Sequence, residues 1–162
     1  MSISVGDTLP GATLSTMGAE GPETVDFGAL TKGRKVVLFG LPGAFTGTCD
    51  AAHLPSFMRT ADAFKEKGVE EIICVSVNDP FVMQRWDESA GASEAGITML
   101  ADPQSELTKA LGLNFTVEPL GFYDRCQRFA LLAEDGEVKV MHLEEQAGVC
   151  GISSGEELLE QV

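Results

Sequence analysis

Apolar residues along this chain fall into short blocks whose period keeps changing, and the changes mark its elements. Val36-Val37-Leu38-Phe39 is a β-branched and aromatic run ending at Gly40, the pattern of a buried strand, and Pro42-Gly43 supplies the turn by which the chain leaves it. Beyond that turn, Phe57 and Phe64 recur at helical spacing until Gly68 closes the segment. Glu71-Ile72-Ile73-Cys74-Val75-Ser76-Val77 reads as a second strand, so evenly apolar that both of its faces are expected to be covered. Asn78-Asp79-Pro80 starts a helix with a capping side chain and proline at its first position, and Val82, Met83 and Trp86 form its apolar stripe. Ile97-Thr98-Met99-Leu100 is a further short strand. Asp102-Pro103 is expected to open another helix, carrying Leu107, Ala110 and Leu111 before Gly112 ends it.

After Arg125 the rhythm changes. Residues 129–133 and 138–143 flank Asp135-Gly136, a strong hairpin signal, so two antiparallel strands are expected there. Ser153-Ser154 before Glu156-Glu157 and Leu158-Leu159 reads as the capped, acidic first turn of a terminal helix. Gly11, Gly18, Gly21 and Pro22 predict an extra hairpin ahead of Val36. Strands alternating with helices, then a hairpin and a last helix, imply an α/β sandwich with a mixed central sheet. The chain has 162 residues, 44% of them hydrophobic, with no repeat and no Pro/Ser-rich linker, so a single domain over residues 1–162 is expected.

Charge narrows the partners. Acidic residues number 25 against 11 basic ones, for a net charge of −14 spread along the chain, which disfavours nucleic acid and anionic membranes as partners. No apolar run is long enough to span a bilayer, and no basic segment followed by an apolar stretch marks the amino terminus. The expectation is a soluble cytoplasmic protein, although a processed organellar one has the same appearance.

The four cysteines are Cys49, Cys74, Cys126 and Cys150. None forms a C-x-x-C pair, and His53 and His142 stand far apart, so no metal site is expected. Cys49 stands out because it falls where the apolar strand has ended and the amphipathic helix begins. The first turn of a helix offers unpaired N–H groups and the positive end of the helix dipole, a setting that favours a thiolate, and the thiolate is the nucleophile.

Pro42, Thr46 and Cys49 fit the pattern Pro-x-x-x-Thr-x-x-Cys, and the match continues through His53-Leu54-Pro55-Ser56-Phe57. Cys74-Val75-Ser76-Val77-Asn78-Asp79-Pro80-Phe81-Val82-Met83 and the Arg-x-x-Arg-Phe element at Arg125, Arg128 and Phe129 follow in order. On these residues the chain resembles the peroxiredoxins, and more narrowly the type II or peroxiredoxin-5-like subfamily. The resemblance implies a thioredoxin-like fold: a mixed central β-sheet flanked by helices, with an N-terminal hairpin extension. It implies a peroxidase without metal, haem or flavin cofactor, reducing hydrogen peroxide and alkyl hydroperoxides through a cysteine sulfenic acid. It also implies a thioredoxin, glutaredoxin or glutathione reductant and a homodimer with Phe45 and the preceding loop at the contact. By position Cys49 becomes the peroxidatic nucleophile, Thr46 and Arg128 its activating partners, and Pro42 a shield at the pocket mouth.

The chemistry suits those residue types. Thr46, three residues before Cys49, shares its face at a helix start and has a hydroxyl to offer sulfur or peroxide oxygen. Arg128 brings a permanently charged planar fork, and backbone N–H groups near Thr48 and Cys49 complete an anion site. Each residue also has a plainer reading: Thr46 as a helix cap, Arg128 as a solvated strand arginine, Pro42 as a turn proline. His53, one turn beyond Cys49, is read as a packing or interface residue rather than a base. Pro55 is expected to kink or interrupt the helix and leave the Cys49 turn weakly anchored, free to unwind and expose the oxidised sulfur. Gly47 stands where relatives commonly carry proline and Ala52 where they often carry lysine. The resolving thiol ranks Cys150, in the Gly-flanked stretch 148–151, then Cys74, then Cys126. A peroxide-sensing relay passing its disulfide to client proteins is the alternative function, and a disulfide reductase a weaker third, for want of a C-x-x-C.

Overall fold

Alternation along the central strands sends side chains to both faces of one sheet, and both faces are covered in the computed structural model, which describes residues 1–162. The amino-terminal hairpin is β1 (Thr13–Gly18) and β2 (Gly21–Asp26), followed by a short helix α1 (Phe27–Thr31). β3 (Lys35–Leu41) leads through a loop to a helix whose regular part is α2 (Leu54–Glu66). Then come β4 (Glu71–Ser76), α3 (Pro80–Ala90), β5 (Thr98–Ala101) and α4 (Glu106–Ala110). β6 (Asn114–Val117) and β7 (Phe122–Cys126) form a separate two-stranded sheet, β8 (Phe129–Glu134) and β9 (Glu137–Leu143) return to the main one, and α5 (Gly155–Leu159) closes the chain.

The seven-stranded sheet runs β2-β1-β5-β4-β3-β8-β9, parallel among β3, β4 and β5 and antiparallel elsewhere. This is the thioredoxin-like mixed sheet expected from the sequence, with its N-terminal hairpin. Val37, Phe39, Ile72 and Cys74 pack toward Phe57 and Phe64 of α2, Trp86 of α3 and Leu158 of α5. Val36, Leu38, Ile73 and Val75 face the other way, onto Phe27, Leu107 and Leu111. Asp79 and Ser154 cap α3 and α5 as predicted, accepting the amides of Val82 and Glu157.

Two expectations change. The helix foreseen from Asp102-Pro103 begins four residues later, because the buried Asp102 carboxylate stays behind and accepts the Leu107 and Thr108 amides and the Thr108 hydroxyl. Gly40 does not end its strand but lies inside β3, where an added Cβ would stand 2.4 Å from the Phe129 ring and 3.0 Å from Cys126 Sγ. The glycine is a close-approach position that draws β8 and the end of β7 against β3, fixing where Arg128, between them, emerges.

Candidate functional site

β3 ends at Leu41 and the chain turns through residues 42–46 before the helix that carries Cys49. Phe45 takes a left-handed φ of 64°, the Thr46 amide and hydroxyl both donate to the Gly43 carbonyl, and the Ala44 amide donates to Asn78 Oδ1. A Cβ on Gly43 would lie 2.5 Å from Arg125 Nη1, so the arginine needs a glycine there to reach the Pro42 carbonyl, to which it donates at 2.9 Å. Its guanidinium also sits 4.9 Å over the Phe122 ring. Burial lowers Arg125 from its ordinary value, and the nearby Cys49 acts in the opposite direction.

Helical hydrogen bonding then begins, with the Asp50 amide donating to the Thr46 carbonyl, so Cys49 lies in the first turn. From Cys49–His53 the turn is π-helical before α2 resumes the α pattern. Pro55 explains the widening: it has no N–H, its ring would crowd the carbonyl four residues back, and an extra residue in the turn relieves both. The expected kink is thus a widened turn, not a break. Its outer side is pinned by the buried Trp86 indole, which donates to Asp50 Oδ1 at 2.8 Å.

Cys49 is 1% exposed, and Arg128 Nη2 donates to its sulfur at 3.1 Å. Arg128 is 2% exposed and sits in the gap between β7 and β8, not on a solvated strand face. Its Nε donates to the Ala147 carbonyl and its Nη1 to His53 Nδ1, both at 3.0 Å. Three of its five N–H groups are so engaged, which leaves two for a ligand. His53 is sealed between Phe39 and Phe57, and its Nε2 donates to the Ser153 carbonyl at 3.0 Å. Burial, with the Arg128 charge second, pushes its pKa down to about 3, so the ring is neutral. His53 is therefore a packing residue, as read from the sequence, that also accepts a hydrogen bond from Arg128.

A cavity of about 490 Å³ opens here, lined by Pro42, Thr46 and Arg128 and walled on its apolar side by Phe115, Val117, Leu120 and Phe122. That wall, built from β6, β7 and the 3-10 turn Glu118–Leu120 between them, was missed in the sequence. Thr46, expected to donate to sulfur or to a peroxide oxygen, instead directs its hydroxyl to the Gly43 carbonyl at 2.7 Å, so it meets the cavity as an acceptor.

The structure thus gathers Cys49, Thr46, Arg128 and Pro42 and leaves two cysteines out. All four cysteines are free. Cys74, on β4, and Cys126, at the end of β7, are fully buried; burial raises Cys74 far above the ordinary thiol value and Cys126 to about 12. Cys150 is half-buried in the 144–154 segment, whose Gly148 carbonyl accepts from Thr48 at 2.6 Å and whose Ala147 and Gly148 line the cavity. Burial also raises its thiol, opposed by the Ser153 hydroxyl and Arg128.

Residues 4–159 match the family described as Redoxin. Peroxiredoxin-2E-2, chloroplastic, of Oryza sativa subsp. japonica is 51% identical over 98% of this chain and 72% of its own length. Peroxiredoxin-2E, chloroplastic, of Arabidopsis thaliana is 43% identical over 98% of this chain and 68% of its own. The crystal structure of reduced Prx3 in complex with hydrogen peroxide from Vibrio vulnificus is similar with a TM-score of 0.91 and 43% identity, covering 98% of both chains. The expectation of a cytoplasmic protein is corrected by the first two relatives, which are organellar by name. The lack of a spanning apolar run and of a basic-then-apolar amino-terminal segment, on which it rested, carries no such cellular address.

Proposed function

We propose that in this chain, which belongs to the Redoxin family and within it to the type II, peroxiredoxin-5-like peroxiredoxins, Cys49 is the peroxidatic cysteine and Thr46, Arg128 and Pro42 form its pocket. The protein is a thiol peroxidase that acts on peroxide through a peroxidatic cysteine and depends on thiol reductants. One observation carries the residue assignment: the Arg128 guanidinium, buried and charged, donates to the Cys49 sulfur at 3.1 Å. A donor so placed serves an anionic sulfur and stays in reach of an oxygen bonded to it.

In the reaction, the Cys49 thiolate attacks the terminal oxygen of a hydroperoxide. The S–O bond forms as the O–O bond breaks, and the departing alkoxide or hydroxide takes a proton to leave as alcohol or water. The two unengaged Arg128 N–H groups face the charge growing on oxygen, while Thr46 accepts from the peroxide O–H and so orients it. Pro42 and the apolar wall keep water from the sulfenic acid.

Cys150 is the resolving thiol in this reading. Its segment already lies against Thr48 and Arg128, whereas Cys74 and Cys126 are sealed in the core. Its thiol condenses with the Cys49 sulfenic acid, releasing water and leaving a disulfide for the external reductant. The chain works as a homodimer, for which the half-exposed Phe45 ring beside the pocket offers an apolar contact; sedimentation velocity on the purified protein tests this. For the site, Cys49→Ser abolishes peroxide consumption, and peptide mapping after one equivalent of peroxide finds a Cys49–Cys150 disulfide. Undiminished turnover in Cys49→Ser refutes the assignment of Cys49. Cys49 recovered only as sulfinic acid or as a glutathione adduct removes Cys150 from the cycle.

A further inference from the structure

Glu144 is a carboxylate that the reaction does not use, yet it is 8% exposed and its Oε2 accepts three hydrogen bonds. The Gly151 amide donates at 2.6 Å, the Ser153 amide at 2.9 Å and the Ser153 hydroxyl at 2.7 Å. One oxygen thus draws the 144–154 segment into a closed loop with Cys150 inside it. The loop is also what holds Arg128. Its Ala147 carbonyl takes Nε, its Ser153 carbonyl fixes His53, and His53 takes Nη1, while the Glu144 amide itself donates to the Arg128 carbonyl at 3.0 Å. Both side-chain contacts that aim the guanidinium at Cys49, to Ala147 and to His53, therefore involve the loop that Glu144 closes.

We propose that Glu144 is a positioning residue for the peroxidatic step: by closing the Cys150 loop it sets Arg128, through Ala147 and through Ser153 and His53, against the Cys49 sulfur. The inference rests on the assignment of Cys49 and Arg128 made above, and concerns how the arginine is held.

The test is the single-turnover oxidation of reduced protein by hydrogen peroxide, a step that precedes any role for Cys150, followed in Glu144→Ala and Glu144→Gln. Glutamine keeps an acceptor oxygen at the same reach, so Glu144→Gln retains the native rate within about twofold, while Glu144→Ala loses about tenfold to a hundredfold, the usual cost of a misplaced catalytic group. Ser153→Ala, which removes one of the three donors and keeps the backbone, loses a few-fold and serves if Glu144→Ala does not fold. A folded Glu144→Ala oxidising at the native rate overturns the proposal, as does an equal loss in Glu144→Gln. Cys49→Ser and Arg128→Met run alongside: if either oxidises at the native rate, the underlying assignment has failed instead.

Discussion

Arginine only donates and a carbonyl only accepts, so His53, between Arg128 and the Ser153 carbonyl, has one allowed form: neutral, with its proton on Nε2. Its pKa of about 3 in the folded state lies below the ordinary 6.5. The unfolded chain therefore binds one more proton than the folded one between those values. Stability from this group is complete above pH 6.5 and is lost as pH falls toward 3, at about 1.4 kcal/mol per pH unit. His53→Gln, which has no proton to gain, should show a pH dependence of unfolding free energy shallower by about that slope over the same window, measured by urea denaturation. Parallel slopes in the two proteins would show that the ring is not held neutral. The sequence offered His53 only as a neighbour of Cys49. Its hydrogen-bonding role arises from Arg128, 75 residues away, and from Ser153, 100 residues away, which no local spacing foreshadows.

The element that carries the reacting sulfur is a helix with a defect built into it. Pro55 was legible in the sequence as a disruption; the form of the disruption, a π turn over Cys49–His53, was not, because it depends on what the rest of the helix packs against. The β6–β7 hairpin was missed for a related reason. Its strands are only four and five residues long around the turn at Pro119 and Gly121, and their apolar pattern gains meaning only when the hairpin closes over the pocket. Gly47 gives a direct test of the turn. It is the first residue of the helix, its backbone is not left-handed, and a Cβ there meets nothing within 4 Å. Gly47→Ala should therefore stabilise the protein by about 0.4 to 1 kcal/mol, chiefly by narrowing the unfolded ensemble. If Cys49 reaches Cys150 by local unwinding, the same energy raises the cost of opening, and disulfide formation slows about two- to fivefold. Quenched-flow mass spectrometry reads this as a slower Cys49–Cys150 product and more sulfinic acid at Cys49 under excess peroxide. A stabilised variant that forms the disulfide at the native rate would show that the turn does not unwind.

At the scale of the whole molecule, the sheet decides which thiols meet solvent. The evenly apolar run at residues 71–77 announced a strand covered on both faces, and that suffices to seal Cys74. Nothing local announced the burial of Cys126, which follows from the approach of β7 to Gly40. Cys74 and Cys49 share one core cluster with Phe39, Phe57 and Trp86, so their joining needs side chains of α2 and α3 to part, whereas the Cys150 loop lies outside that cluster and is held by hydrogen bonds to Thr48, Arg128 and Glu144. With its thiol pushed up to about 12, Cys126 is ionised in about one molecule in ten thousand at pH 8, and Cys74 is held back in the same direction. In native reduced protein, iodoacetamide should therefore label Cys49 and Cys150 while leaving Cys74 and Cys126 unmodified until urea is added, as read by peptide mass spectrometry. Labelling of Cys74 at a rate that follows Cys49 rather than global unfolding would mean that the α2 face opens as a unit. The core thiol would then reach the sulfenic acid without the 144–154 loop moving at all.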